Sequence, residues 1–115
     1  MTTKTTLACI TLALSSAAHA DFLSGNGLFK EMTGTSDIGQ MFATGYVVGV
    51  HDATSGTNQH CVPKGVNAGQ LSDVVRLWLR NNPAHRHLPA EQLVVFSLSV
   101  AFPCTENKPQ SGRSL

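Results

Sequence analysis

Residues 67–83, NAGQLSDVVRLWLRNNP, contain the clearest helix pattern in the sequence. Asn67 and Gln70 form an N-x-x-Q variant of the capping box, which marks a helix start. The apolar residues that follow recur at spacings of three and four, which predicts one buried stripe: Leu71, Val74, Val75 and Trp78. Asn81-Asn82-Pro83 then predicts the helix end. The segment is therefore predicted to be an amphipathic α-helix.

A polar segment precedes this helix. Residues 54–66 contain Gly56, Pro63 and Gly65, which favour a loop of about a dozen residues. Loops of that length in a compact domain are often functional. Residues 54–66 are therefore a candidate functional loop.

Upstream of the loop, Ser36 is predicted to cap a second helix that carries Asp37 in its first turn. Its apolar positions are expected to form the buried stripe: Ile38, Met41, Phe42, Gly45, Tyr46, Val48 and Gly49. Gly45 and Gly49 lie one turn apart. Because glycine lowers helix stability, we expect their small size to permit a close contact with another helix.

Two further helices complete the pattern. Residues 24–33 predict a short one, weakened by Gly25 and Gly27. The last helix is predicted to begin with Pro89 at its first position and to end at Pro103. It is apolar on most sides and is expected to be central: Leu93, Val94, Phe96, Leu98, Val100 and Ala101. No segment alternates as a strand does, so the predicted fold is all-α, a small single-domain bundle of about four helices.

The termini are expected to lie outside the bundle. Residues 1–20 combine Lys4, a short apolar run and an Ala18-His19-Ala20 site, which together predict a signal peptide cleaved after Ala20 and export to the periplasm. Residues 21–104 would form the domain. Residues 105–115 are polar and are predicted to be a disordered tail.

Removal of the signal would leave two cysteines, Cys61 and Cys104. An even pair in a small exported domain predicts one disulfide. A closure of that length stabilises the chain by about 4 kcal/mol in the loop-entropy model.

Charge and motifs argue against several classes of function. Seven basic and seven acidic residues would remain after removal of Lys4, which gives no reason to expect nucleic acid or an anionic membrane as partner. A metal site built from His51-Asp52 is weakly supported because adjacent helical residues point about 100° apart, so further ligands would have to come from elsewhere. For His60, His85 and His87, no carboxylate lies close in sequence and Cys61 is expected to be in the disulfide. We expect no metal and no cofactor.

The chain also lacks a recognisable catalytic motif. It has no G-x-S-x-G nucleophile elbow, and Gly25-x-Gly27 lacks the third glycine of a phosphate-binding loop. Composition therefore favours a binding protein. Arg86 and His87, ahead of Pro89, either contact a partner or tie the turn between the last two helices by bonding free helix-end carbonyls; we favour the structural role.

Four pieces in order resemble the Rap/Tai immunity proteins, which protect bacteria from amidase effectors of type VI secretion: LSGNGLF, GYVVGVHDA, CVPKGVNAGQLSDVVRLWLRNNPAHRH and LVVFSLSVAFPC. They extend from Leu23 to Cys104. The family pattern often has two more cysteines, at places that correspond here to Met32 and Ala43. Their joint absence is consistent with loss of one disulfide.

The resemblance implies a helical, periplasmic, commonly dimeric inhibitor that is not an enzyme. Its partner would be a peptidoglycan amidase, whose cleft a protruding segment would occlude. Our candidate for the occluding segment is the loop from Thr54 to His60, because it is polar and has little role in the core. We assign Thr57, Asn58, Gln59 and His60 to the contact with the amidase, with a helix face as the alternative. Two other classes stay open, a periplasmic acid-stress chaperone and a small hydrolase. The chaperones are usually rich in charge, whereas only 13% of this chain is charged.

Overall fold

Residues 22–105, which the computed structural model describes, form four α-helices. They are α1 (Gly25–Thr33), α2 (Asp37–Thr54), α3 (Ala68–Asn81) and α4 (Ala90–Ala101), with a short 3₁₀ turn at Pro83–His85 between α3 and α4. Each helix contacts the other three, so the predicted all-α bundle is confirmed. The predicted signal peptide and the tail beyond Thr105 lie outside the described residues.

The predicted helix starts are confirmed by their caps. The Ser24 hydroxyl accepts a hydrogen bond from the Gly27 amide at 3.1 Å, and the Ser36 hydroxyl accepts one from the Gly39 amide at 3.2 Å. At α3 both bonds of the capping box are present, each 2.9 Å long. These side chains satisfy amide groups that a helix leaves without internal partners.

One start differs by a single position. Pro89 is the N-cap of α4, and the helix begins at Ala90. The Pro89 carbonyl accepts the first intrahelical bond, from the Leu93 amide. The fixed φ of proline suits either place at a helix start.

The core lies where the four helices meet, and its buried apolar residues come from all of them: Leu28, Met32, Ala43, Val47, Leu71, Val75, Leu79, Ala90, Leu93, Val94 and Leu98. Val74 and Trp78, predicted in the α3 stripe, are partly buried at its border. The Trp78 ring packs edge-to-face on Phe96 with centroids 5.4 Å apart.

The predicted orientation of α2 was wrong. Its buried residues are Gly39, Ala43 and Val47. Ile38, Met41 and Phe42 point outward and are 81%, 74% and 52% exposed. The helix carries apolar residues on both sides, so periodicity alone could not distinguish the side that packs.

The predicted role of Gly45 and Gly49 was also wrong for contacts within the chain. A Cβ atom added to either would meet no atom within 4 Å in the described structure. The close approach is at Gly25 instead, where a Cβ would lie 2.8 Å from the Arg86 carbonyl oxygen and collide with Leu93. Glycine there lets α1 begin directly against the connection between α3 and α4.

The predicted disulfide between Cys61 and Cys104 is confirmed, with Cα atoms 4.9 Å apart and 43 positions between them in sequence. The Cys61 amide also donates a hydrogen bond to the Phe102 carbonyl at 2.9 Å. Both links fasten the middle of the 55–67 connection to the end of α4. None of the described helices combines the length and the hydrophobicity needed to cross a bilayer.

Candidate functional site

The connection between α2 and α3 begins with a compact turn at residues 55–60, which we call the contact loop. Gly56 and Asn58 have positive φ values of 85° and 59°. Glycine has no steric penalty there, and asparagine tolerates this region better than most residues. Two backbone positions therefore fix the course of the loop.

Side chains reinforce this shape from within. The Thr57 hydroxyl donates to the Thr54 carbonyl at 2.6 Å, and the Gln59 amide group donates to the Thr57 hydroxyl at 2.9 Å. Such local bonds are typical of ordered turns. The loop is thus held before any partner arrives.

Three of the four predicted contact residues, Thr57, Asn58 and Gln59, are exposed. The exposure expected for His60 was wrong, because its side chain is only 4% exposed. The chain turns inward after Gln59 so that Cys61 can reach Cys104. This anchoring draws His60 under the loop, an effect that polarity alone did not predict.

His60 lies against the last turn of α2. Its Nε2 atom is 3.3 Å from His51 Nδ1 and 3.4 Å from Thr54 Oγ1, and the two imidazole rings pack edge-to-face with centroids 5.1 Å apart. Burial, and secondly the charge of His51, lower the pKa of His60. Its Nδ1 atom is buried and has no partner among the described residues.

Next to the contact loop, a groove of about 620 Å³ runs between α2 and α4. Its walls are mainly apolar, including Val50, Val95 and Phe96, while Gln59 of the loop and Glu91 of α4 supply polar groups. Burial, and secondly Glu91, raise the pKa of Tyr46 on the neighbouring stretch of α2. Loop and groove together form one continuous candidate surface.

The 82–89 connection differs from the contact loop because its backbone bonds hold α1. The Arg86 carbonyl accepts from the Asn26 amide at 2.6 Å, and the Leu88 carbonyl accepts from the Gly25 amide at 2.9 Å. The Arg86 guanidinium lies 4.3 Å from the centroid of the Phe29 ring, a cation–π contact. Arg86 therefore makes structural contacts, by this stacking and its own carbonyl.

His87, assigned with Arg86 to the turn, is exposed. His85 lies beside Trp78, with ring centroids 5.9 Å apart, while His60 contacts His51. The histidines considered as joint metal ligands thus lie in different surroundings. Within residues 22–105, no group of three or more histidine, cysteine or acidic side chains is arranged to hold a metal ion.

A family model of Rap1a immunity proteins matches residues 7–104, which includes all four helices. The chain belongs to this family. No curated protein matched the chain in a sequence search. Membership indicates an immunity protein, a non-enzymatic inhibitor whose partner is a secreted effector.

The two positions at which the family pattern often has cysteines lie in the core of this immunity protein. Met32 is 6% exposed and Ala43 is fully buried. Both contribute apolar packing between α1 and α2. The first helix is thus held by burial and by its bonds to the 82–89 connection.

Proposed function

We propose that this immunity protein acts in the periplasm, where it binds a peptidoglycan amidase delivered by type VI secretion and blocks its cleft with the contact loop. The observation that carries the proposal is the outward presentation of Asn58 and Gln59 on a backbone fixed at both ends. At the start of the loop, the Thr54 carbonyl accepts a hydrogen bond from the Thr57 hydroxyl. At its end, the Cys61–Cys104 disulfide anchors the residue that follows the loop.

A fixed loop suits an inhibitor because little conformational freedom is lost on binding. An amidase that hydrolyses peptide stems must present polar groups in its cleft. The amide side chains of Asn58 and Gln59 each supply donors and an acceptor for such groups. The α2–α4 groove beside the loop would then receive apolar side chains from the rim of the cleft.

The test replaces the two exposed amides and keeps the positive φ and the disulfide anchor of the loop, although Gln59→Ala also removes the bond from Gln59 to Thr57. Asn58→Gly keeps the positive φ, and Gln59→Ala removes the second amide while Thr57 retains its bond to Thr54. We expect N58G/Q59A to bind a candidate amidase, such as one encoded in the adjacent reading frame, at least about tenfold more weakly. A buried group left unpaired costs about 1–3 kcal/mol, and 1.4 kcal/mol corresponds to a factor of ten.

The control is T35A/N81A, which also removes two exposed polar side chains. Thr35 precedes α2, whose 18 residues place it about 27 Å along the helix from the loop. Calorimetric titration should give the control the wild-type affinity. Equal affinities for N58G/Q59A and wild type would rule out the contact loop and direct attention to a helix face, whereas wild-type protein that binds and inhibits no amidase would overturn the proposed function.

The remaining expectations belong to the same proposal. Cleavage after Ala20 would deliver the chain to the compartment where amidases attack peptidoglycan, and the intact mass of the periplasmic protein would test it.

Self-association as a homodimer is supported by the outer face of α2, defined by Ile38, Met41, Phe42, Gly45 and Gly49. Its large side chains are exposed, and its glycines leave room for a second helix at close distance.

A further inference from the structure

The contact of His51 with His60 has a definite direction of proton donation. The Thr54 hydroxyl donates to the Val50 carbonyl at 2.7 Å, so its oxygen presents lone pairs to His60 Nε2. A proton on His60 Nε2 can therefore be shared between Thr54 Oγ1 and His51 Nδ1. A proton on His60 Nδ1 would be a buried donor without a partner. The geometry assigns the proton to Nε2, with His51 Nδ1 as acceptor.

We propose that His51 and His60 form a pH-sensitive latch, which holds the contact loop against the end of α2 while both rings are neutral and releases it when either ring is protonated. A proton gained by His51 at Nδ1 would place two N–H groups opposite each other at 3.3 Å. A proton gained by His60 would have to sit on the buried Nδ1. The first event removes the bond from His60 to His51 and adds repulsion. The second leaves that bond in place but adds a buried charge and a buried donor without a partner among the described residues. Both weaken the hold of the helix end on the loop.

Within residues 22–105, the elements around His60 offer no opposite charge to compensate. His51 is the titratable group that faces it from α2, and Thr54 is uncharged. The end of α4 contributes Phe102 and the disulfide-bonded Cys104. Asp52 of α2 and Glu91 of α4 are exposed, and the lowering of the pKa of His60 arises from burial and from His51.

The lowered pKa of His60 determines how the stability of the folded protein changes with pH. Because the pKa of His60 is lowered by folding, the unfolded chain binds more protons than the folded one near and below the ordinary histidine pKa of about 6.5. The stabilisation is fully present above that pH. It is lost as the pH falls toward the lower pKa of the folded protein. The latch is thus closed at neutral pH and weakened in mild acid.

The consequence for inhibition rests on the proposed function. A released loop must be ordered again on binding, so affinity for the effector should fall with pH together with the local stability of the loop. The latch itself is a property of the isolated protein. Its test therefore needs no effector.

The experiment compares the purified wild-type protein with H51Q and H87Q between about pH 5 and pH 8. Glutamine at position 51 keeps a hydrogen-bond acceptor within a helix and does not titrate. H87Q removes one exposed histidine outside the cluster. For wild type and H87Q we expect the melting temperature, and the exchange protection of the 55–60 amides after correction for intrinsic rates, to decrease together toward acid. In H51Q this decrease should be smaller but not abolished, because the burial of His60, the main cause of its lowered pKa, remains while the contribution of His51 is lost.

Imidazole ¹⁵N shifts supply an independent measurement. They should place the proton of His60 on Nε2 at neutral pH and give His60 a midpoint below the ordinary histidine pKa of about 6.5. Equal pH dependence in wild type and H51Q, or a His60 proton on Nδ1, would overturn the latch. If the latch behaves as expected but no amidase is bound at any pH, the latch stands and the proposed function fails.

Discussion

The two faces of α2 differ in the size of their side chains: the small ones are buried and the large apolar ones are exposed, which is the reverse of the usual arrangement. The inner face is built from Gly39, Ala43 and Val47, whereas the outer face carries Ile38, Met41 and Phe42. Helix α2 contacts all three other helices, and small side chains let its backbone approach them. Large apolar groups are left in solvent, which is typical of surfaces that meet a partner. Residue size, together with crowding by the neighbouring helices, therefore decides which apolar face of α2 is buried.

The largest expected effect tests the inner face. Val47 is fully buried, while Val48, its neighbour on α2, is partly exposed. Val47→Asp would bury a carboxylate without a partner, which costs about 3–5 kcal/mol, a large part of the stability of a small domain. Val48→Asp makes the same chemical change where water can reach the carboxylate. Urea denaturation should show V47D largely unfolded and V48D close to wild type.

Comparable losses of stability in the two variants would contradict the expected difference between the two positions, because Val48 would then be as tightly enclosed as Val47. Sedimentation velocity at equal protein concentrations separates this result from oligomer formation. A V47D variant as stable as wild type would mean that α2 can rotate to expose its inner face.

Local sequence chemistry predicted the fold well. The caps at Ser36 and Asn67 depend on residues adjacent to the helix starts, so they can be recognised without knowledge of the tertiary structure. The Cys61–Cys104 pairing was predictable because it is the one pair left after signal removal. The residues that pack against each other were harder to predict from the sequence. The phase of α2 depends on three other helices, and the close approach at Gly25 depends on a connection 60 or so residues away in sequence.

The candidate site was predicted in part. Polarity correctly marked Thr57, Asn58 and Gln59 as exposed. The burial of His60 follows from the path that the chain takes toward the disulfide, and its contact with His51 joins a loop to a helix end. The spacing of nine residues between the two histidines has no periodic meaning, so no sequence pattern could have revealed the pair. Asparagine tolerates the positive φ found at Asn58, but the presence of an asparagine does not by itself predict that conformation.

The second prediction concerns the outer face. Phe42→Glu should weaken self-association about tenfold or more, because it removes about 1.5–3 kcal/mol of apolar burial and brings like charges together across a symmetric contact. Leu77→Glu is the matched control, since Leu77 on α3 is 56% exposed and Phe42 is 52% exposed. Sedimentation velocity over a concentration series should show a shift to monomer for F42E alone. If both variants dissociate equally, or if wild type is monomeric throughout, the outer face of α2 is not a dimer contact.

The smallest expected effect is at Gly49, where the sequence suggested a close contact and the structure shows open space within the described chain. Gly49→Ala should stabilise the monomer by up to about 1 kcal/mol, because alanine favours the helical conformation and meets no neighbour. Gly56→Ala is the matched control. It also has open space around it, but its φ of 85° is strained for alanine, so stability should fall by about 1–2 kcal/mol. At a protein concentration below the dissociation constant of the dimer, the melting temperature should therefore rise for G49A and fall for G56A. A loss of stability in G49A would show that something packs on this glycine in solution, whereas a gain in monomer stability accompanied by weaker self-association would place Gly49 at the contact between two copies of α2.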